Sequence, residues 1–156
     1  MKLLGAVLIL ICGSAFSFER SKAENKKVGN ARALCELVRL ARGLVETFSM
    51  CGSDILRRCP TDILYECGYP GGLALESFSQ FAGVCKIPDE EMKRLFNEFC
   101  DGFGKSYRAE ELRRIDYYLS KLESRAHIIE KQAPVKKKTG LVIGVSAAIT
   151  AVIFLL

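Results

Sequence analysis

Five kinds of residue in this chain could do chemistry, and their spacing sets what chemistry that would be. Seven cysteines come first. Cys12 sits inside an apolar run, which leaves six, an even number suited to disulfides in an exported domain. None forms a Cys-x-x-Cys, and Cys51, Cys59 and Cys67 recur every eight residues, unlike common zinc spacings. Only His127 could add an imidazole. No metal site and no cofactor are expected. Cys35, Cys85 and Cys100 read as small apolar fillers in a reducing compartment. Gly102-Phe103-Gly104-Lys105-Ser106 ends like a phosphate-binding loop. Phe99 stands where the first glycine belongs, however, and a helix precedes it where a strand is required. The segment reads instead as a helix end followed by a helix start at Ser106. His127 lacks a partnering acid or thiol and reads as a surface residue. Glu90/Glu91 and Glu110/Glu111 sit in first helical turns, where the helix dipole accounts for them. Tyr117 and Tyr118 read as core and rim. No acid, base and nucleophile converge, so the chain is not expected to be an enzyme.

The elements around these residues are helical. Leu112, Ile115, Leu119, Leu122, Ala126, Ile129 and Ala133 step by threes and fours, which lays an apolar seam along one helix face. Leu34, Leu37, Ala41, Leu44 and Phe48 repeat the pattern earlier, widened by Val38 and Val45. Arg32/Glu36 and Arg42/Glu46 are four apart and can pair. Gly52-Ser53-Asp54 is expected to break the first long helix and cap a short one at Ile55. Pro60 ends that piece, and Thr61-Asp62 cap the next, through Cys67. Gly68 to Gly72 is a loop by composition. Leu73 to Cys85 is expected to be helical, with Ala74, Phe78, Phe81 and Cys85 on one face. Pro88 with Asp89, Glu90 and Glu91 starts another helix, carrying Met92, Leu95, Phe96, Phe99 and Phe103. The last long helix is expected to stop at Gln132, with Pro134 forcing a kink or linker. No segment alternates with period two. The expected fold is all-α, a bundle of about six helices flanked by terminal transmembrane helices.

The 156 residues allow one domain. The expected divisions are a span at 1–18, a helical bundle at 19–134, a basic collar at 135–140 and a span at 141–156. Leu3 to Phe18 also resembles a signal peptide, with Ala15-Phe16-Ser17 as its cleavage site. Sixteen to eighteen helical residues cover roughly 24–27 Å, short but sufficient for a span. Flanking charge decides between the two. Arg20, Lys22, Lys26 and Lys27 follow the first run, and Lys136, Lys137 and Lys138 precede the second. Basic residues beside spans stay on the cytoplasmic side. Both flanks therefore place the central domain in the cytoplasm, which agrees with unpaired cysteines. Gly140, Gly144, Ala147, Ala148 and Ala151 could give the second span a close helix contact. The net charge of +5 lies at these flanks with no recognition motif, which excludes nucleic-acid binding as a class. The competing reading is an exported, disulfide-stapled helical binding module anchored by its tail.

Two segments resemble the stage III sporulation protein AB family: Glu36 to Phe48, and Phe103 to Glu123. Gly104, Ser106, Arg108, Ile115, Leu119, Leu122 and Glu123 match its pattern. Phe103, Tyr107 and Glu111 depart, taking the usual leucine, aspartate and glutamine places. The layout of span, helical domain, basic collar and span matches as well. The resemblance implies a non-enzymatic platform subunit of the channel between mother cell and forespore, in the mother-cell membrane around the forespore. It further implies a cytoplasmic domain similar to that of type II secretion and type IV pilus platform proteins, and docking of a sporulation ATPase and other channel subunits. Homo-oligomerisation stays open. Candidate partner contacts are Arg39, Glu46, Arg113 and Arg114 on the long helices and Gly104, Ser106 and Arg108 in the turn.

Overall fold

The computed structural model describes the backbone of residues 2–155, with side chains described for residues 18–140 and for Val142, Ile143, Ser146, Ile149, Thr150 and Ile153. Cys12, the sequence Ala15-Phe16-Ser17, and Gly144, Ala147, Ala148 and Ala151 therefore lie outside the described side chains. The described residues form helices and no strand: α1 (Lys2–Phe48), α2 (Gly52–Arg58), α3 (Thr61–Glu66), α4 (Phe78–Val84), α5 (Glu90–Gly102) and α6 (Arg108–Leu155). Two compact units result, one of Lys27–Ile129 and one of Met1–Lys26 with Glu130–Leu156. Among the described residues no helix is long and apolar enough to cross a membrane.

Within Lys27–Ile129 both seams are buried against one another and against the short helices. Leu34, Leu37, Val38, Ala41 and Val45 of α1 share one core with Ile115, Leu122, Ala126 and Ile129 of α6. Leu112 and Leu119 pack on its edge. Ion pairs tie the two helices along their exposed flanks. Arg39 meets Glu123 at 2.7 Å and Arg42 meets Asp116 at 2.5 Å. At half-exposed sites these contribute register more than stability, on the order of 0.2–1 kcal/mol each. The remaining core is aromatic. Phe78, Phe81, Phe96 and Phe99 are fully or almost fully buried. Their rings meet edge-on or tilted, Phe78–Phe99 at 5.6 Å and Phe81–Phe96 at 6.0 Å, the geometry ring quadrupoles favour.

Several boundaries differ from the sequence expectation, each for a local reason. α1 ends at Ser49, which takes φ +52° while its N–H reaches the Val45 carbonyl. Gly52, Ser53 and Asp54 form the first turn of α2 instead of a break, and Cys51 is its N-cap. Phe48 leaves the seam and is 62% exposed. Pro60 is the N-cap of α3, so Thr61 and Asp62 lie inside that helix. Residues 73–77 are not helical and Ala74 is exposed. The chain enters α4 only at Ser77, whose hydroxyl accepts the Gln80 N–H while Gln80 Oε1 accepts the Glu76 N–H. This reciprocal arrangement resembles a capping box and fixes the start. Asp89 caps α5 by accepting the Met92 N–H. Pro88 lies outside the helix it was expected to open. α6 starts at Arg108, with the Tyr107 carbonyl accepting from Glu110 and Glu111, so Ser106 does not cap it. Pro134 sits inside α6, which does not stop at Gln132. The helix formers on either side, Lys131-Gln132-Ala133 and Lys136-Lys137-Lys138, outweigh the one hydrogen bond that proline cannot donate.

Asp89 does a second job. Its carboxylate receives the Arg125 guanidinium in a fork, Nε at 2.9 Å and Nη2 at 2.8 Å. That contact ties the start of α5 to α6. The Arg125 hydrogen bond, then the Met92 N–H, hold the Asp89 carboxyl below its usual value against the opposing effect of burial. A depressed carboxylate contributes stability above its unfolded pKa, about 3.9. That contribution is lost as pH falls below it through the folded value. Asp89→Asn, which keeps a capping oxygen, is expected to cost about 1–3 kcal/mol at pH 7. It should also flatten the decline of melting temperature below about pH 4. Thermal unfolding of both forms across pH 2–7 checks this, and equal acid slopes would show that the fork does not carry the effect.

The unit of Met1–Lys26 and Glu130–Leu156 carries the flanking charges. Lys137 donates to Asn25 Oδ1, and Lys22 Nζ lies 4.8 Å over the Phe18 ring. Gly140 is buried, and a Cβ built there would stand 3.1 Å from Arg20 Cδ. Arg20, Lys26, Lys136 and Lys138 are exposed.

Candidate functional site

The candidate contacts separate into three places. Arg39 lies on the flank joining α1 and α6, engaged with Glu123. Arg113 faces a groove of about 420 Å³ with Glu110, Arg114, Tyr117 and Tyr118. Glu46, Gly104, Ser106 and Arg108 come together at the end of the bundle where α1 turns into α2 and α5 turns into α6. Arg108 donates there to the Glu46 carbonyl, while the Glu46 carboxylate holds Arg42 at 2.6 Å.

That end forms a half-open cavity of about 270 Å³. Val45, Met50 and Phe103 supply its apolar wall, and Ser106, Arg108 and Glu111 its polar side. The turns that build it are fixed by backbone. Gly104 takes φ +78°, a left-handed conformation that costs a side-chain-bearing residue roughly 1–2 kcal/mol. Phe103 is the C-cap of α5, and its ring lies tilted against Phe78, 4.4 Å between centroids. Cys51 is exposed, and its thiol donates to Asp54 Oδ2 at 3.0 Å.

Glu111 departs from the sequence expectation. A place in the first turn of α6 suggested a solvated acid, yet Glu111 is 4% exposed. Its Oε1 accepts from Arg114 Nη2 at 2.8 Å. Its Oε2 is buried and meets no donor among the described residues. The available signal was the Glu111/Arg114 spacing of three, the ion-pair spacing of a helix. Arg114 is likewise less exposed than its place on α6 suggested. Its Nη1 donates to the Phe99 carbonyl at 3.2 Å, and its guanidinium lies over the Phe99 ring, 5.9 Å from the centroid. A Cβ built on Gly102 would collide with that guanidinium, so Gly102 is the gap through which Arg114 reaches the end of α5.

A second groove, about 550 Å³, runs between α5 and α6. Arg94 bridges Glu91 and Glu98 along it at 2.7 and 2.6 Å. Tyr117, Lys121, Arg125 and Ile128 line its other side. Alternating charges lie there beside exposed Tyr117 and Ile128.

All six described cysteines are free, and all but Cys51 are buried. Burial, first of all causes, pushes the Cys59 thiol up to about 11 and the Cys85 thiol up to about 12, and raises Cys67 and Cys100 further. These groups stay protonated and unreactive at neutral pH. Among the described residues no three or more His, Cys, Asp or Glu side chains are placed to hold a metal ion. His127 is exposed beside the seam. Tyr118 meets Phe99 edge-on at 6.2 Å, whereas Tyr117 is exposed. Compared with known proteins, the chain matches no family model, no curated protein and no solved structure.

Proposed function

We propose that this chain is a non-enzymatic membrane scaffold subunit of the stage III sporulation AB type. It spans the mother-cell membrane around the forespore twice and holds its helical bundle in the cytoplasm. There the bundle docks the cytoplasmic ATPase and other subunits of the mother-cell-to-forespore channel. The observation that carries this reading is the pairing of α1 with α6. These two helices hold the bundle core, and each continues through a basic flank (Arg20, Lys22 and Lys26 on one, Lys136, Lys137 and Lys138 on the other) toward an apolar terminal run. Such flanks favour the cytoplasmic side. Free thiols in the bundle support a reducing compartment over the exported, disulfide-stapled alternative. The α5–α6 groove and the α1–α2 end offer the partner surfaces.

The test is thiol accessibility in intact cells with a membrane-impermeant maleimide. Cys51, the exposed cysteine, is expected to react only after the cytoplasmic membrane is permeabilised, and without reductant. Labelling from outside, and only after reduction, would replace the scaffold with the exported binding module. Docking is tested separately, by capture of the purified ATPase on the full-length chain in detergent. Retention of the ATPase is expected, and its absence from the bound fraction would remove that part of the reading.

A further inference from the structure

Charge is divided unevenly between the two units of the chain. The bundle, Lys27–Ile129, holds fifteen basic and fifteen acidic residues, so the whole net charge of +5 lies in the unit of Met1–Lys26 and Glu130–Leu156. Seven of that unit's eight cations fall within residues 20–26 and 131–138, against three acids, Glu19, Glu24 and Glu130. Even with each acid paired, four positive charges are left over there. Two contacts set the arrangement. A Cβ at Gly140 would stand 3.1 Å from Arg20 Cδ, and Lys137 donates to Asn25 Oδ1. The two helices therefore run antiparallel in this unit. Arg20, Lys22 and Lys26 of α1 share about two helical turns, roughly 9 Å of axis, with Lys136, Lys137 and Lys138 of α6. Like charges this close repel within a Debye length. Apolar surface adjoins them on the side of the terminal runs. Phe18, Val142 and Ile143 are 57–63% exposed, and Lys22 Nζ lies over the Phe18 ring.

We infer that this collar is a binding site for anionic phospholipids, with their phosphates on the cations of both helices and their acyl chains against the apolar residues of the adjoining turn. The order of the surface selects the occupant. A phospholipid is anionic and then apolar over the same few ångströms in which the collar is cationic and then apolar. A soluble anion or an acidic protein would use the cations and leave Phe18, Val142 and Ile143 in water. Each Lys or Arg close to a membrane surface favours anionic lipid about fivefold. The bound phosphates would also relieve the repulsion between the two sets of cations. The inference rests on the reading that the terminal runs span the membrane. It goes beyond that reading by giving the flanks a ligand, where orientation alone asks only for their charge.

The experiment uses the full-length chain. Alkaline extraction from phosphatidylcholine vesicles first checks the spans. Retention is expected, and a released chain would overturn the spanning reading and this inference together. In nonionic detergent the chain is then titrated with dioctanoyl phosphatidylglycerol or dioctanoyl phosphatidylcholine, and bound lipid is counted by native mass spectrometry. Phosphatidylglycerol is expected to bind at least about tenfold more tightly at low salt and to lose that preference in about 0.5 M ammonium acetate. Arg20→Gln combined with Lys136→Gln and Lys138→Gln keeps the Cδ beside Gly140 and the Lys137–Asn25 hydrogen bond. It should weaken phosphatidylglycerol at least about tenfold and leave phosphatidylcholine unchanged. Arg57→Gln with Arg58→Gln and Lys105→Gln removes the same charge from exposed sites on the bundle and should change neither. Equal affinity for the two lipids, in a chain that the vesicles retain, would overturn the inference and leave the spans standing. Equal losses in the two triple variants would overturn it as well. So would displacement of the lipid by glycerol phosphate or by polyglutamate at matched charge, which would assign the collar to a soluble anion or to an acidic protein.

Discussion

Gly68→Ala is expected to lower the unfolding free energy by about 3–5 kcal/mol. Gly68 follows α3 with φ +92°, where a Cβ meets its own carbonyl at roughly 1–2 kcal/mol. The larger cost is external. A Cβ there would stand 2.6 Å from the Lys86 carbonyl oxygen and 2.9 Å from the Lys86 nitrogen. Both are backbone atoms and cannot swing away. Moving them breaks the Lys86 N–H bond to the Gly68 carbonyl and pulls on Cys85 and Ile87, both buried. The change therefore separates the loop from the segment between α4 and α5. Denaturant titration of the full-length chain, followed by reactivity of the buried Cys67 thiol, measures the loss. A change under about 1 kcal/mol would mean that the 68–86 crossing can relax. Gly72→Ala is the matched control, since φ there is +80° but nothing lies within 4 Å of the new methyl. It should show the conformational cost alone.

Phe99→Ala is expected to cost about 3–5 kcal/mol, the range for removing a buried aromatic ring. Phe99 is fully buried, and its ring touches Phe78, Phe96, Phe103 and Tyr118 at 5.4–6.2 Å between centroids. It joins α4, α5 and α6 at one point, so no single neighbour can close the hole. The Arg114 guanidinium above it would also lose its aromatic face. Phe99→Leu keeps much of the volume and should lose less. The same thiol titration reads both. If Phe99→Ala cost no more than an exposed substitution, the aromatic cluster would not be the centre of the fold.

What the sequence disclosed, and what it hid, follow from how far each signal reaches. The two seams were legible because a helix repeats its burial every three to four residues over many turns. One exception such as Phe48 does not spoil the pattern. The chain's ends of helices were less legible, because each depends on one or two hydrogen bonds. Ser77-x-x-Gln80 was readable as a start signal for α4, but the apolar residues from Leu73 onward argued for an earlier one. At Pro134 a local rule was outweighed by the helix formers around it. Glu111 was hidden for a different reason. A first-turn acid looks the same in sequence whether it faces water or the end of a core, and only the packing of Met50 and Phe103 around its cavity distinguishes them. The Asp89–Arg125 fork, across 36 residues, had no local signature at all.

The ion pair between Arg39 and Glu123 spans 84 residues of chain, which gives the α1–α6 pairing a cost in time during synthesis. At 5–20 residues per second, roughly 4–17 s separate the emergence of the α1 seam from that of its partner. The α4–α5 aromatic cluster can form in that interval from contacts close in sequence, but it covers only part of α1. Leu34, Leu37, Val38 and Ala41 therefore wait exposed beside the ribosome until α6 arrives. Newly made chains should be bound by chaperones through this α1 stripe, and a stalled chain ending before Arg108 should stay bound.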